Sequence, residues 1–323
     1  MSPSTMSTRP SIGVSIQAFT AREMVQQIRQ AEAAGIPTAW TTIGGAGGAD
    51  PLTTFAAALM ETESIRLGTA IIPTWPRHAI VIAQQAMALE QLAPGRLRLG
   101  IGPSHEPGMT RTFGVQWHTP LSHLREYLET LRALFTTGEV NHEGAHVVAR
   151  TKWREPVPVE LLASALRPRS FELCGELADG AISWMCPRAY LVEQALPAVR
   201  RGAERAGRPV PPLIAHVPIA VTTERGAARD LARRQLGNYG QVPFYRAMFE
   251  ASGHPVGADG YSDALLDDLV VSGTEEEVAE RLAGYIADGC GEVLAAPVID
   301  TADRDQSIAR AFRAVARAQA LVG

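Results

Sequence analysis

Short apolar runs alternate along the chain with longer segments whose apolar residues recur at helical spacing, as at Met24, Ile28 and Ala31. Alternation of this kind is typical of a parallel sheet whose strands are joined by covering helices. The runs predict eight strands, each followed by a helical segment. The predicted strands are residues 12–17, 38–42, 65–72, 97–102, 159–164, 180–185, 213–221 and 291–296.

Helix start signals support this alternation. Asp50 and Pro51 supply an N-cap and a first-turn proline, and Thr274 opens a capping box. Eight strand–helix pairs in 323 residues predict an α/β fold of the (β/α)8 or TIM barrel type. A doubly wound sheet with a second domain is the alternative, but no linker or change of composition divides the chain. We expect one barrel domain over residues 11–323, after a flexible leader at residues 1–10.

Two stretches do not fit the strand–helix repeat. They are predicted to be insertions after strands 4 and 7. Residues 138–158 have the polar, glycine-containing composition of a small hairpin, and residues 238–272 interrupt the seventh helix with glycines and prolines. Chemistry in such barrels takes place at the carboxyl ends of the strands. The two insertions are therefore candidate walls of a pocket.

Composition excludes several classes of protein. Thirty basic and 34 acidic residues give a net charge of −4, so there is no basic surplus for binding nucleic acid. The polar start of the chain lacks the apolar core of a signal peptide, and no run of about 20 apolar residues could span a membrane. The three cysteines are far apart, form no CxxC pair and indicate a reduced, cytoplasmic protein. We expect a small-molecule partner and no metal.

The segment GRLRLGIGPSH, residues 95–105, runs from a predicted strand into two glycines. A dinucleotide-binding loop would place a third glycine where His105 stands and would continue into a helix, whereas we predict a loop at residues 106–114. We interpret residues 102–105 as the lining of the barrel mouth after strand 4, with Gly102 letting a flat ligand approach the backbone. A purely structural strand exit is the alternative.

Two further motifs are rejected as catalytic. HEGAH, residues 142–146, matches the zinc-protease pattern, but its surroundings describe a turn between short strands, whereas zinc chemistry needs both histidines on a buried helix. GGAGG, residues 44–48, lacks the ending of a phosphate-binding P-loop. We therefore predict an exposed hairpin tip and a flexible loop at the pocket rim.

A candidate phosphate site lies in ASALRPRSF, residues 163–171, where strand 5 is expected to enter a helix at Pro168. A helix amino terminus offers free N–H groups and partial positive charge, and Arg167 and Arg169 add formal charge beside it. An exposed arginine pair at an ordinary helix start is the alternative interpretation.

Taken together, these motifs resemble the luciferase-like oxidoreductases that use a flavin or a deazaflavin. The LGT strand at residues 67–69, a helix start at residues 77–79 and the GRLRLGIG strand stand in the family's order. Further matches are AEAAGIPTAW at residues 31–40, ASALRPRSFELCGELADGAISW at residues 163–184 and VSGTEEEVAERLAGYIADGCGEVL at residues 271–294. The resemblance covers residues 11–320 and is nearest to the branch that uses coenzyme F420.

The resemblance implies that the cofactor ring lies across the carboxyl ends of the strands. A bulge with a non-prolyl cis peptide bond at Ala70-Ile71 would lie behind the ring. The likeness also suggests a homodimer. Further cofactor contacts are implied at strand 2, at the end of strand 4 and, for the phosphate, at the end of strand 5, namely Thr42, Gly102, Pro103, Ser104, His105, Ser164, Ala165, Leu166 and Arg167.

The chain departs from the family pattern after strand 2, where many members have Asp-His and this chain has isoleucine and glycine. The helix start at residues 77–79 also reads RHA where the family has RHP. The catalytic role of Asp-His cannot be transferred, so His105, with Glu106 as a second candidate, is expected to exchange the proton. Gln17 and Trp184, at the ends of strands 1 and 6, are candidate substrate walls or packing residues.

These features predict an F420-dependent oxidoreductase that transfers a hydride between the deazaflavin and a small organic substrate. The reacting group would be a C=O, C=N or activated C=C. One alternative is an FMN-dependent luciferase-like monooxygenase, and another is a non-catalytic cofactor-binding barrel. His105 has its own alternative role, which is to hydrogen-bond the ring without exchanging a proton.

Overall fold

Parallel strands close into a barrel that is surrounded by helices. The computed structural model describes residues 9–43, 47–257 and 260–323, so most of the predicted leader and residues 44–46 of the predicted rim loop lie outside the described residues. Within these ranges the strands are β1 (Ser11–Ser15), β2 (Thr38–Thr41), β3 (Arg66–Thr69), β4 (Ile72–Pro73), β5 (Leu97–Gly102), β6 (Glu139–Glu143), β7 (Val148–Lys152), β8 (Glu160–Ser164), β9 (Gly180–Ile182), β10 (Leu213–Val221), β11 (Val271–Gly273) and β12 (Glu292–Pro297).

Helices follow most of the strands and cover the outside of the barrel. Their bounds are α1 (Ala21–Ala33), α2 (Pro51–Met60), α3 (Ala79–Leu92), α4 (Glu106–Phe113), α5 (Pro120–Thr137), α6 (Pro168–Leu177), α7 (Arg188–Tyr190), α8 (Leu196–Arg205), α9 (Arg225–Leu236), α10 (Pro243–Ala251), α11 (Asp263–Leu269), α12 (Glu275–Ala287) and α13 (Arg304–Val322). A π-helical turn, Leu191–Ala195, joins α7 to α8, and a 3-10 turn, Gly237–Gln241, follows α9. None of these helices is both long and apolar enough to cross a membrane.

The order of the strands confirms the predicted barrel. Neighbours run β1, β2, β3, β5, β8, β9, β10 and β12, and β12 pairs with β1 to close the ring. Each of these pairings is parallel, as strand–helix repeats require. The short strands β4 and β11 lie beside β5 and β10. The carboxyl ends of all eight barrel strands therefore surround one mouth.

Two predicted strands are shorter than expected. The third, predicted at residues 65–72, is divided into β3 and β4 by a cis peptide bond between Ala70 and Ile71, at the position that the family resemblance implies. The sixth, predicted at residues 180–185, ends at Ile182. Its backbone leaves the sheet before Met185, whose φ of 55° lies in the left-handed region.

The prediction of a loop at residues 106–114 is wrong, because this segment contains α4. The helix begins with Glu106 and a proline in its first turn, and it ends at Gly114, whose φ of 66° forms a left-handed C-cap. Met109 is its one buried residue, so the segment has no apolar period that could reveal it. Strand 4 therefore leads directly to a helix amino terminus.

Both predicted insertions are present. β6 and β7 form an antiparallel hairpin, and HEGAH lies at its tip, where the Glu126 carboxylate accepts the backbone N–H groups of Ala145, His146 and Val147. The segment after β10 folds as α9, a 3-10 turn, α10 and α11, followed by β11, which the sequence pattern did not predict. We call its central part, residues 237–251, the aromatic arm.

A single tryptophan fills much of the barrel interior. Trp40 is fully buried and lies where any side chain on Gly13 or Gly68 would stand. A Cβ on Gly68 would come within 2.3 Å of the Trp40 ring, and one on Gly13 within 2.7 Å of its indole nitrogen. Glycine at these two strand positions is therefore a packing requirement rather than a loop signal.

Beneath Trp40, an arginine links three strands at the amino-terminal end of the barrel. Arg98 on β5 is 2% exposed, and its guanidinium carbon lies 4.7 Å from the Trp40 ring centroid. Its Nε and Nη2 donate to the two oxygens of Glu160 at 2.9 and 2.8 Å, and Nη1 donates to Glu292. Although burial alone would lower the pKa of Arg98, the carboxylates of Glu292 and Glu160 raise it above its ordinary value.

Replacing Arg98 with methionine should strongly destabilise the barrel. Arg98→Met leaves the buried Glu292 and the partly buried Glu160 without their shared cation, so we expect a loss of about 3–5 kcal/mol in urea unfolding. Arg29→Met, which breaks an exposed pair with Glu61, is the matched control and should cost less than about 1 kcal/mol. Equal losses in the two variants would contradict a structural role for the buried network.

Candidate functional site

Small side chains line one side of the barrel mouth, and aromatic side chains line the other. Trp40, Ala70, Leu162, Ile182, Ile214 and Leu294 pack together inside the barrel. Because side chains alternate along a strand, residues two positions beyond these point to the same interior. Six neighbouring strands present small side chains at or near this level, namely Ala296, Ser15, Thr42, Ala70, Gly102 and Ser164. We call this run the small-residue shelf.

The remaining two strands contribute large rings. Trp184, which follows β9, and His216 on β10 lie against each other with their ring centroids 4.2 Å apart. Trp184 Nε1 and His216 Nε2 are buried and have no hydrogen-bond partner among residues 9–43, 47–257 and 260–323. Buried nitrogens of this kind are usually satisfied by a ligand or by water. The mouth therefore has an aromatic wall with unused hydrogen-bonding capacity.

The turn that follows β5 places His105 at the edge of the mouth. Ser104 has a φ of 62°, in the left-handed region, and this turn brings His105 to the N-cap position of α4. The His105 side chain does not cap the helix, so the ring is free to face other groups. Glu106 is exposed in the first helical turn, where its charge suits the helix dipole.

The aromatic arm reaches across the mouth to this histidine. The Tyr245 hydroxyl lies 3.2 Å from His105 Nε2, and the Tyr239 ring meets His105 edge-on at 5.6 Å between centroids. Tyr239 also contacts Trp184, with centroids 5.8 Å apart. The arm thus completes a row of aromatic rings that runs from His105, after β5, to His216 on β10. Sequence analysis missed Tyr239, Tyr245 and His216, because they have no motif and lie far from the other site residues in the chain.

Burial controls the protonation of these groups. It lowers the pKa of His105 below its usual value, and no charged partner opposes the effect. Burial lowers the pKa of His216 to about 3 and raises the pKa of Tyr245 well above its ordinary range. His105 and His216 are therefore neutral near pH 7, and Tyr245 keeps its proton.

The backbone around Gly102 is tightly packed. A Cβ on Gly102 would lie 2.1 Å from Ser164 Oγ and 3.2 Å from Ile71 Cγ1. The glycine therefore makes room for Ser164 and for the residue that follows the cis bond. Gly102 and Ser164 of the shelf thus lie beside Ile71. Pro103 continues the same rim and is half-buried.

The backbone amides just before α6 are occupied by partners within the chain. Ser170 Oγ accepts from the N–H groups of Leu166 and Arg167 at 3.0 and 3.1 Å, and Ala165 N–H bonds to Ile182 in the sheet. The Arg167 side chain is exposed and makes no ion pair within the described ranges. Any anion at this point would therefore be held by arginine side chains rather than by these amides.

Strand 1 contributes a fixed polar residue. The Gln17 backbone is held by the Gln27 side chain, which accepts from its N–H at 3.0 Å and donates to its carbonyl at 3.1 Å. Arg304 also donates to that carbonyl. The Gln17 amide lies near Ser15, and the Ser15 and Thr42 hydroxyls are 3.4 Å apart. Gln17 and Trp184 thus lie at different strand ends around one mouth.

A second histidine-rich cluster lies around the hairpin tip. It is linked to the mouth by Thr74, whose N–H donates to the Gly102 carbonyl at 3.0 Å and whose hydroxyl lies 3.0 Å from His123 Nε2. Trp75 stacks on His123 with centroids 3.8 Å apart, and His146 meets both rings. Among the described residues, no group of three or more His, Cys, Asp or Glu side chains is arranged to hold a metal ion.

The chain is similar in sequence to several known proteins. The chain matches the luciferase-like monooxygenase family over residues 3–291. It is 29% identical over 221 residues to an uncharacterized protein of Mycobacterium tuberculosis, covering 63% of this chain and 65% of that one. It is also 29% identical over 296 residues to the F420-dependent glucose-6-phosphate dehydrogenase of Beutenbergia cavernae, covering 85% and 87%.

The fold is also shared with solved structures. An F420-dependent secondary alcohol dehydrogenase in complex with an F420-acetone adduct superimposes with a TM-score of 0.78 at 18% identity. The alignment covers 95% of this chain and 98% of that one. The described residues therefore form a TIM barrel. The chain belongs to the luciferase-like monooxygenase family.

His216 should make the protein sensitive to acid. Its pKa of about 3 in the folded state lies below the unfolded value of about 6.5, so the unfolded chain binds the proton more readily. Stability is therefore fully present above pH 6.5 and is lost as pH falls toward 3, by about 1.4 kcal/mol per pH unit. Urea unfolding between pH 7 and 4.5 should show about 3 kcal/mol less acid sensitivity in His216→Leu. Parallel pH curves for the two proteins would contradict this assignment.

Proposed function

We propose that this chain is an F420-dependent oxidoreductase that transfers a hydride between the deazaflavin and a small organic substrate. The observation that carries the proposal is the small-residue shelf, which provides a smooth surface for a flat ring opposite an aromatic wall. The family match and an F420-dependent relative of nearly full length support the choice of cofactor. The reacting group of the substrate would be a C=O, C=N or activated C=C.

The residues present fit such a ring. Thr42, Ala70, Ile71 and Gly102 would form the surface behind it, and Ser104 and His105 its edge at strand 4. The buried nitrogens of Trp184 and His216 lack partners within the described ranges, and a polar ligand in the mouth would satisfy them. Beyond the shelf, Ser164, Ala165, Leu166 and Arg167 would lie near the phosphate, with Pro103 on the rim. Since Ser170 occupies the amides, the Arg167 guanidinium would make the main phosphate contact.

The bound deazaflavin would supply the hydride chemistry, and the chain's own residues would do the rest. Trp184, Tyr239 and Tyr245 exclude water from the mouth, and Gln17 offers an amide at the opposite rim. Neutral His105 would donate a hydrogen bond, or exchange a proton, at the reacting oxygen or nitrogen. Glu106 is the second candidate for the proton, although it is exposed and faces solvent.

An FMN-dependent monooxygenase is the second candidate function, because the matched family takes its name from that activity. The same shelf would accept an isoalloxazine ring. A non-catalytic cofactor-binding barrel is the third, because the Asp-His pair of the family is missing after strand 2.

Cofactor titration tests the proposal directly. F420 should quench the protein's tryptophan fluorescence at micromolar or lower concentration, because Trp184 lines the mouth, and FMN should bind more weakly. Reduced F420 on the enzyme should be stable in air and be oxidised when an organic acceptor is added. Tight FMN binding with oxygen consumption would support the monooxygenase instead, and F420 binding without turnover on any acceptor would support the non-catalytic barrel.

Arg167→Ala should weaken F420 binding about 10- to 100-fold, which is the size of one charge-assisted hydrogen bond to a phosphate. Arg200→Ala is the matched control, since Arg200 is an exposed arginine on α8, and it should leave the dissociation constant unchanged. Both constants come from the same fluorescence titration. A change below threefold in Arg167→Ala would place the phosphate elsewhere.

A homodimer in the cytoplasm belongs to the same proposal. Met60 and Leu92 are exposed apolar residues on the adjacent helices α2 and α3, which is consistent with a subunit contact there. The three cysteines are free and buried, as suits a reducing compartment. Sedimentation of the purified protein would measure the assembly.

A further inference from the structure

Tyr245 joins two distant parts of the chain at the mouth. It lies on α10 in the aromatic arm, yet its hydroxyl is 3.2 Å from Nε2 of His105, which follows strand 4. The tyrosine is 5% exposed, and its ring packs 4.9 Å from that of Tyr239. A polar contact at this depth, made by an insertion, indicates a role beyond covering the barrel.

We propose that Tyr245 is a positioning residue that donates its hydroxyl hydrogen to His105 Nε2 and thereby holds the imidazole proton on Nδ1. This inference rests on the proposed function for its catalytic meaning. The tautomer of His105 itself can be measured without any cofactor.

The donor direction follows from counting partners. A buried phenol has one hydrogen to donate, and leaving that hydrogen without an acceptor is costly. Within residues 9–43, 47–257 and 260–323, His105 Nε2 is the one hydrogen-bond partner of the Tyr245 hydroxyl. A neutral imidazole accepts at one nitrogen and donates at the other. Acceptance at Nε2 therefore places the proton on Nδ1.

The Nδ1–H group remains available to a ligand. His105 stands at the N-cap of α4, where a side chain often bonds the first helical amides, but it makes no such bond. Nδ1 has no partner within the described ranges. Tyr239 packs edge-on against the same ring and limits its rotation. The two tyrosines thus fix both the tautomer and the orientation of His105.

This arrangement decides between the two roles considered for His105. With Nε2 occupied by a hydroxyl that keeps its own hydrogen, the neutral ring has no free lone pair to act as a base. His105 then serves as a hydrogen-bond donor that orients an acceptor oxygen or nitrogen in the mouth, and no proton leaves Tyr245. The proton of the overall reaction is exchanged with solvent or with the substrate.

Nitrogen NMR of the apoprotein with ¹⁵N-labelled histidine tests the tautomer. Wild-type His105, assigned by the signals lost in His105→Ala, should show a protonated Nδ1 and an unprotonated Nε2. Tyr245→Phe should shift both signals toward a mixture of tautomers. Tyr261→Phe is the matched control, because Tyr261 is a buried tyrosine that donates to the Leu236 carbonyl at 2.9 Å and should leave His105 unchanged. A protonated Nε2 in the wild type, or unchanged signals in Tyr245→Phe, would overturn the proposal.

A double-mutant cycle then tests the catalytic meaning. Tyr245→Phe should lower kcat/KM about three- to tenfold, the size of one neutral hydrogen bond, and should cause no further loss in the His105→Ala background. Equal losses in both backgrounds would show that the Tyr245 hydroxyl acts independently of His105 and would overturn the catalytic part of the proposal. The NMR experiment uses the apoprotein, so it tests the His105 tautomer even if the protein does not turn over F420. Failure of the tautomer proposal can therefore be distinguished from failure of the proposed function.

Discussion

The buried ion pairs of Arg98 are the constraint on which the remaining structure depends. One guanidinium joins β5 to β8 through Glu160 and to β12 through Glu292, at the end of the barrel opposite the mouth. A charge at this depth is tolerable because both carboxylates and the Trp40 ring surround it. The network therefore fixes which strands face one another and how far apart they stand. The positions of the strand ends at the mouth follow from that spacing.

Above the Arg98 network, the side chains that line the barrel differ in size from one side to the other. Trp40 fills the space left by two glycines, and beyond it most strands carry small side chains. Trp184 and His216 occupy the remaining sector with their rings in contact. Under the proposed function, a flat ring would bind on the side of the mouth that carries small residues. The shape of the mouth would then contribute to selectivity before any hydrogen bond forms.

Chemistry in the mouth depends on groups that remain neutral. His216 and Tyr245 are buried and His105 is half-buried, and burial shifts each pKa in the direction that removes charge. The exposed arginine pair at α6 adds positive charge at the rim rather than in the interior. An anionic part of a ligand and its apolar ring would therefore be bound by separate regions. That division suits a large cofactor with a charged tail.

The sequence by itself determined the barrel, its two insertions and the strand ends that form the mouth, because these depend on apolar period and local helix signals. It predicted the place of the cis bond and of His105 through the family resemblance. It missed α4, whose single buried residue leaves no period to detect. The tertiary structure alone showed that Ser170 Oγ accepts from the amides of Leu166 and Arg167 and that Tyr245 reaches His105. These last contacts join residues that are distant in the chain or depend on side-chain direction, and neither property is encoded in local sequence.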